Sequence, residues 1–216
     1  MRTLIALIHK DYLVDFRQKY PVAGIVLYIF ATIYISYLAF NTTISPTTWN
    51  ALYWVILLFA SITGISKSFS QEMDRTLYYY FLCTPSVVLG AKLIYHLIYQ
   101  YFLVLLSVIL FWVFLGFPVE NVSLFLVNLF IGSTGIAVGF TMISSLSSKT
   151  GNPSTMMAIL GFPVIIPVLL LSVTNSRQVL LGASWVDISG NAIALMSVIV
   201  IIIALSFILF PYSWRD

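Results

Sequence analysis

Six long apolar runs, separated by short polar stretches, set the pattern of the chain. Each approaches the roughly 20 mainly apolar residues that an α-helix needs to cross a ~30 Å hydrocarbon core. They cover about Pro21–Phe40, Trp49–Ile65, Leu93–Leu115, Val122–Leu146, Ser154–Val173 and Ile188–Phe210, the second being the shortest. None alternates with the period of two that a membrane barrel strand requires. The pattern predicts an all-α integral membrane protein with six transmembrane helices, residues 1–216 forming a single transmembrane domain.

The stretch before the first run differs in kind. Met1, Leu4, Ile5, Ile8, Tyr12 and Phe16 recur at three- or four-residue steps, and Lys10 and Arg17 fall on the opposite side. Residues 1–20 therefore read as an amphipathic helix in the membrane interface, its apolar stripe in the acyl boundary and its cations near lipid phosphates. Lys10, Asp11 and Arg17 are the candidate residues of this interfacial helix, and a second reading makes it a connecting helix that also touches a cytoplasmic partner. No small-residue cleavage site follows the first apolar run, so that run is expected to be retained as an anchor.

Composition agrees with this picture. Of 216 residues 61% are hydrophobic and only 8% charged, with a mean hydropathy of +1.03. A soluble domain carries about 25% charged residues, so a soluble enzyme, a nucleic-acid binder and a disordered chain are all excluded. The net charge of +3 is an orientation signal. With the N-terminus inside, Arg2, Lys10, Arg17, Lys19, Lys67, Arg75, Lys92, Lys149 and Arg215 lie on the inner side and only Arg177 lies outside. This positive-inside asymmetry places both termini in the cytoplasm. The single cysteine, Cys83, allows no internal disulfide or paired-cysteine metal site, and two histidines are too few for a self-contained one.

Within the six runs no Asp, Glu, Lys or Arg falls in the core, which argues against ion-coupled transport and against an intramembrane hydrolase. His96 and Gln100, one turn apart, are the most polar pair of the third run. Imidazole can ligate haem, and it can equally hydrogen-bond a neighbouring helix. Gly132, Gly135 and Gly139 put small residues on the fourth span, for packing inside the bundle or at a subunit interface. Pro163 and Pro167 remove two backbone donors, so the fifth span is expected to bend or partly break, as a fixed kink or as a hinge. Trp49, Trp54 and Trp185 sit near outer ends and read as interfacial anchors.

The longest polar stretch between runs is Ser66–Lys92. Helical spacing is plausible over Ser70–Phe81, with Pro85 as its stop. Glu72, Asp74 and Arg75 cluster at its polar end, ahead of the aromatic run Tyr78–Phe81. This arrangement suits either a docking surface at the membrane edge or a loop whose tyrosines sit at headgroup level.

The run FSQEMDRTLYYYFLCTPSVVLGAKLIYH, Phe69–His96, resembles the first cytoplasmic loop of ABC-2-type transporter permeases. LFIGSTGIAVGFTMISSLSS with GFPVIIPVLL, and the opening HKDYLVDFRQK, resemble one branch, the CcmB-type haem exporter permeases of cytochrome c maturation. The chain departs from the family loop at Arg75–Thr76, where a glycine is usual. The resemblance implies a permease in the cell inner membrane that moves or handles haem and is driven by a cytoplasmic ABC ATPase. Phe69, Glu72, Asp74, Arg75 and Leu77 would form the ATPase-coupling loop. It also implies pairing with a second copy or with a haem-handling membrane protein, and no enzymatic activity of its own.

The chain has no GxxxxGK[ST] phosphate loop, so ATP would be hydrolysed on the partner. It has no CxxCH, and Ser184–Trp185–Val186–Asp187 is a thin match to a tryptophan-rich haem motif, so no cofactor is expected to be bound stably. The rival readings are a generic ABC-2 exporter for lipid, drug or polysaccharide and a membrane scaffold that transports nothing. Membrane lipid is a partner in every case; nucleic acid is in none.

Overall fold

The computed structural model describes residues 2–17, 19–40, 44–65, 84–147 and 153–215. These form seven helices: α1 (Arg2–Arg17), α2 (Lys19–Phe40), α3 (Pro46–Ile65), α4 (Pro85–Leu115), α5 (Val122–Ser147), α6 (Pro153–Leu180) and α7 (Trp185–Arg215). No strand occurs among the described residues. The last six helices are each long and apolar enough to cross a membrane. Residues 66–83 lie outside the described part, and with them Phe69, Glu72, Asp74, Arg75 and Leu77.

Local chemistry sets the helix ends. The Ser45 hydroxyl accepts a bond from the Thr48 N–H (3.2 Å), and the Asn121 side chain accepts one from the Leu124 N–H (3.2 Å), capping α3 and α5. At α7 the Asp187 carboxylate reaches back to the Ser184 N–H and hydroxyl, both at 2.8 Å, as in a capping box. Ser184–Asp187 is thus a helix start. The helix expected over Ser70–Phe81 lies outside the described residues, while Pro85 opens α4, behind an extended Thr84. The proline's missing N–H and fixed φ are harmless at a first helical position. Gly116 and Gly182 adopt positive φ (75° and 86°), which lets the chain leave α4 and α6.

Three helices outrun the apolar windows of the sequence by more than a turn. α4 begins at Pro85 rather than Leu93, α6 continues to Leu180, and α7 extends over Trp185–Arg215. The extra turns carry polar residues, among them Lys92 and Asn175, whose side chains turn into the bundle.

Helix α5 is the centre, packed most closely on α6 and also on α7, α4 and α3. Lipid tails offer no hydrophobic drive for helices to associate, so close approach and polar contacts hold such a bundle together. The glycines of α5 provide the approach. A Cβ built on Gly132 would lie 2.5 Å from the Ser172 hydroxyl, on Gly135 2.6 Å from Val168, and on Gly139 2.5 Å from Ile165. The glycine face is turned to α6 of the same chain, and residue numbers rise along α6 as they fall along α5, so the two helices are antiparallel.

The prolines of the fifth run do not break their helix, and one other expectation from the sequence does not hold. Helix α6 runs unbroken through Pro163 and Pro167. Both prolines face outward, on the side opposite Ile165 and Val168, so their rings do not interrupt the packed face. Nor are Trp49 and Trp54 interfacial anchors, since both are fully buried. Trp49 stacks on Tyr53 (5.7 Å) and meets Phe111, Phe117 and Phe125, while its indole N–H donates to the Gly116 carbonyl (3.1 Å). The Trp54 indole donates to the Ser176 hydroxyl at 2.8 Å. An indole whose N–H finds a buried acceptor has no need of the headgroup region. Trp185 is half exposed, as an anchor would be.

Candidate functional site

Every fourth residue at the start of α4 is polar and turned inward: Lys92, His96 and Gln100, each almost wholly buried. Residues four apart stack on one helix face, so this is a polar stripe running from the start of α4 toward its middle. Opposite its first member stands α1. The Asp11 carboxylate lies 3.2 Å from the Lys92 ammonium, with only 5% and 4% of the two side chains exposed. Lys10 Nζ reaches the same carboxylate oxygen at 2.8 Å, from a side chain 31% exposed.

The sequence reading kept ionisable groups out of the span cores and counted Lys92 among the loop charges. In the structure Lys92 sits inside the apolar α4 segment, and it is stable there because α1 brings a carboxylate to it. Burial alone would push the Asp11 carboxyl up. Lys92, and then Lys10, outweigh that effect and hold it below the ordinary value of 3.8, so it stays ionised at neutral pH. The signal for this pairing was present in the spacing. Asp11 shares the helical face of Leu4 and Leu7, and Lys92 shares that of His96.

Helix α1 itself divides its apolar stripe. Leu4, Leu7 and Ile8 turn partly inward with Asp11, whereas Ile5 and Tyr12 are exposed. Lys10 is half-buried and Arg17 is exposed on the side away from Ile5 and Tyr12.

One turn along the stripe, His96 Nδ1 lies 2.8 Å from the Thr141 hydroxyl of α5. Thr141 gives its only proton to the Ala137 carbonyl (2.6 Å), so its oxygen accepts from the His96 Nδ1–H. His96 is therefore tied to a neighbouring helix. Neither amide atom of Gln100 has a hydrogen-bond partner among the described residues. Among those residues, too, no three His, Cys, Asp or Glu side chains gather as a metal site.

The far end of the bundle carries a second polar cluster that sequence reading missed. The Asn50 amide donates to the Val173 carbonyl (3.0 Å) and the Asn128 amide to the Ser172 carbonyl (3.2 Å). The Ser176 hydroxyl returns to the Ser172 carbonyl at 2.7 Å. These bonds clamp the end of α6 to α3 and α5. Asn175 lies buried beside them.

The described chain flanks residues 66–83 with Ile65 and Thr84, the ends of α3 and α4. The Ser144 hydroxyl at the end of α5 donates to the Ile65 carbonyl (3.4 Å), which joins this end of the bundle to α5. The loop thus leaves and returns at the end where α1 docks on α4. The site that emerges is a helix fastened by a buried ion pair to α4, which is tied in turn through His96–Thr141 to the central α5. No curated protein and no solved structure matches the chain. The family model described as CcmB protein matches residues 2–215, essentially its whole length.

Proposed function

The chain belongs to the CcmB protein family, a family of membrane permeases of haem-export ABC systems that work with a separate ATPase subunit, and from that premise we propose how it works. The whole-length family match carries the reading; the six-helix bundle with α1 fastened at one end supports it. The permease serves cytochrome c maturation in the inner membrane, with both termini on the cytoplasmic side as the distribution of basic residues favours. It assembles with a second copy or with a haem-handling membrane protein.

The ATPase engages Phe69, Glu72, Asp74, Arg75 and Leu77 and the exposed side of α1 around Arg17. Closure on nucleotide pushes this end of the bundle. The packed helices shift, and haem moves as substrate or a haem-loaded partner is released outside. The chain supplies geometry and no bond-making chemistry, and it holds no stable cofactor of its own.

The test is Glu72→Ala in the full chain. Loss of a charge-assisted contact corresponds to about tenfold weaker association, so co-purification of the ATPase and ATP-driven function are expected to fall by about that factor. Parental levels of both would remove the loop from the mechanism.

A further inference from the structure

The contact between α1 and the bundle has a feature that surface docking does not need. It buries two opposite charges. Asp11 is the most enclosed of the α1 residues whose burial is described, and Lys92 is among the most enclosed residues in the first turns of α4. They meet at 3.2 Å, on the side of α1 where Leu4, Leu7 and Ile8 are also partly buried. Helix α1 packs far more on α4 than on α2, although α2 follows it directly in the chain.

A buried pair of this kind adds little to net stability, yet it resists separation strongly, because parting the two removes from each an opposite charge held in an apolar setting. The two sides are unequal. If α1 lifted away, Asp11 would keep Lys10 on its own helix, while the Lys92 ammonium would lose the carboxylate inside an apolar helix bundle.

We infer that Asp11 and Lys92 are positioning residues that lock α1 and the first turns of α4 into one moving body. A displacement of α1 then passes to α4 at Lys92, and one turn later to α5 through the His96–Thr141 bond. From α5 it reaches α6 across the Gly132, Gly135 and Gly139 face, where Ser172, Val168 and Ile165 side chains of α6 fill the space against α5. The link between α1 and α4 stands on geometry alone. The source of the displacement rests on the ATPase reading above.

The experiment uses the full chain in native membranes, with Cys83→Ser removing the native thiol and Leu7→Cys placing a probe under α1. Maleimide modification is timed without ATP, so a failure of the ATPase reading leaves this result untouched. Asp11→Asn and Lys92→Gln are each expected to speed modification at least about tenfold. The exchange Asp11→Lys with Lys92→Asp should return it close to the parental rate, and Asp11→Glu and Lys92→Arg should keep it slow. In the assembled complex the single neutral variants are expected to retain bound ATPase and lose ATP-driven function at least about tenfold.

Unchanged labelling in the neutral variants would overturn the inference, as would an exchange variant that labels as fast as they do. Parental function with a freed α1 would overturn the relay. If the neutral variants fail to accumulate, accumulation of the exchange variant supports the link, and its failure alongside them counts against it.

Discussion

Gly132→Leu is expected to prevent the bundle from closing. The position faces two groups that cannot both yield. A Cβ there would meet the Ser172 hydroxyl at 2.5 Å and Cβ at 2.9 Å, and the Trp54 ring at 2.5 Å. That ring is held by its N–H bond to Ser176 at 2.8 Å and lies edge-on to Tyr53. Ser172 stands on the turn of α6 clamped by Asn128. Overpacking of this type costs about 1–3 kcal/mol for small insertions and more for large ones.

Gly132→Ala should therefore lower the thermal unfolding midpoint in detergent clearly, and Gly132→Leu should abolish a cooperative transition. Gly139→Ala supplies the contrast. The close atom there is Ile165 Cδ1, the end of a flexible chain, and the next neighbours lie at 3.7 Å or beyond. Its midpoint should stay near the parental one. Equal midpoints for Gly132→Ala and Gly139→Ala would contradict the packing described for α5 and α6.

Trp49→Ala is the second substitution with a large expected effect. Trp49 is fully buried among Tyr53, Phe111, Phe117 and Phe125, all within 6 Å between ring centres. Truncating an enclosed aromatic costs about 3–5 kcal/mol. In a membrane the lost term is mainly packing, since lipid is as apolar as the protein interior. Trp49→Phe keeps most of the ring contacts and loses the bond to the Gly116 carbonyl, which amounts to about 1 kcal/mol. The midpoint should thus fall steeply for alanine and modestly for phenylalanine. A headgroup anchor would give small shifts for both, and that outcome would contradict the buried placement.

What the sequence made legible follows from the range of each signal. Hydropathy is a local property, and the apolar runs correspond to six helices long enough to span. The positions that escaped depend on which neighbour a face meets. The stripe Leu4, Ile5, Ile8, Tyr12 is visible on a helical wheel, but only the docking of α4 decides that Leu4 and Leu7 turn inward and that Asp11 goes with them. Lys92 reads as a loop charge until a carboxylate 81 residues away in the chain is placed beside it. Trp49 and Trp54 look like anchors because tryptophan often is one near a helix end; their acceptors, Gly116 and Ser176, come from other elements.

Pro85 illustrates the same limit from the other side. Proline bars a helix from continuing through it and equally opens a new one, and here α4 begins on it. Pro163 and Pro167 remove donors as expected, yet they occupy the outward face of α6 and leave its packed face to Ile165 and Val168. The glycines of α5 were recognisable as a close-packing face, whereas the identity of the opposing helix was not. The loop residues Phe69, Glu72, Asp74, Arg75 and Leu77 fall outside the described residues, so their coupling role rests on the family resemblance and on the flanks at Ile65 and Thr84.

A permease driven by a separate ATPase engaged at residues 66–83 and α1 should hold that ATPase in its native complex. The most direct test is mild-detergent affinity purification of the full chain from its native membrane, with the co-purifying proteins identified by mass spectrometry and assayed for ATP hydrolysis. The expected result is an ATPase bearing a phosphate-binding loop, recovered together with a haem-handling membrane protein and depleted by Glu72→Ala. Repeated recovery of the chain without any ATPase, under conditions that keep a known ABC complex intact, would contradict it.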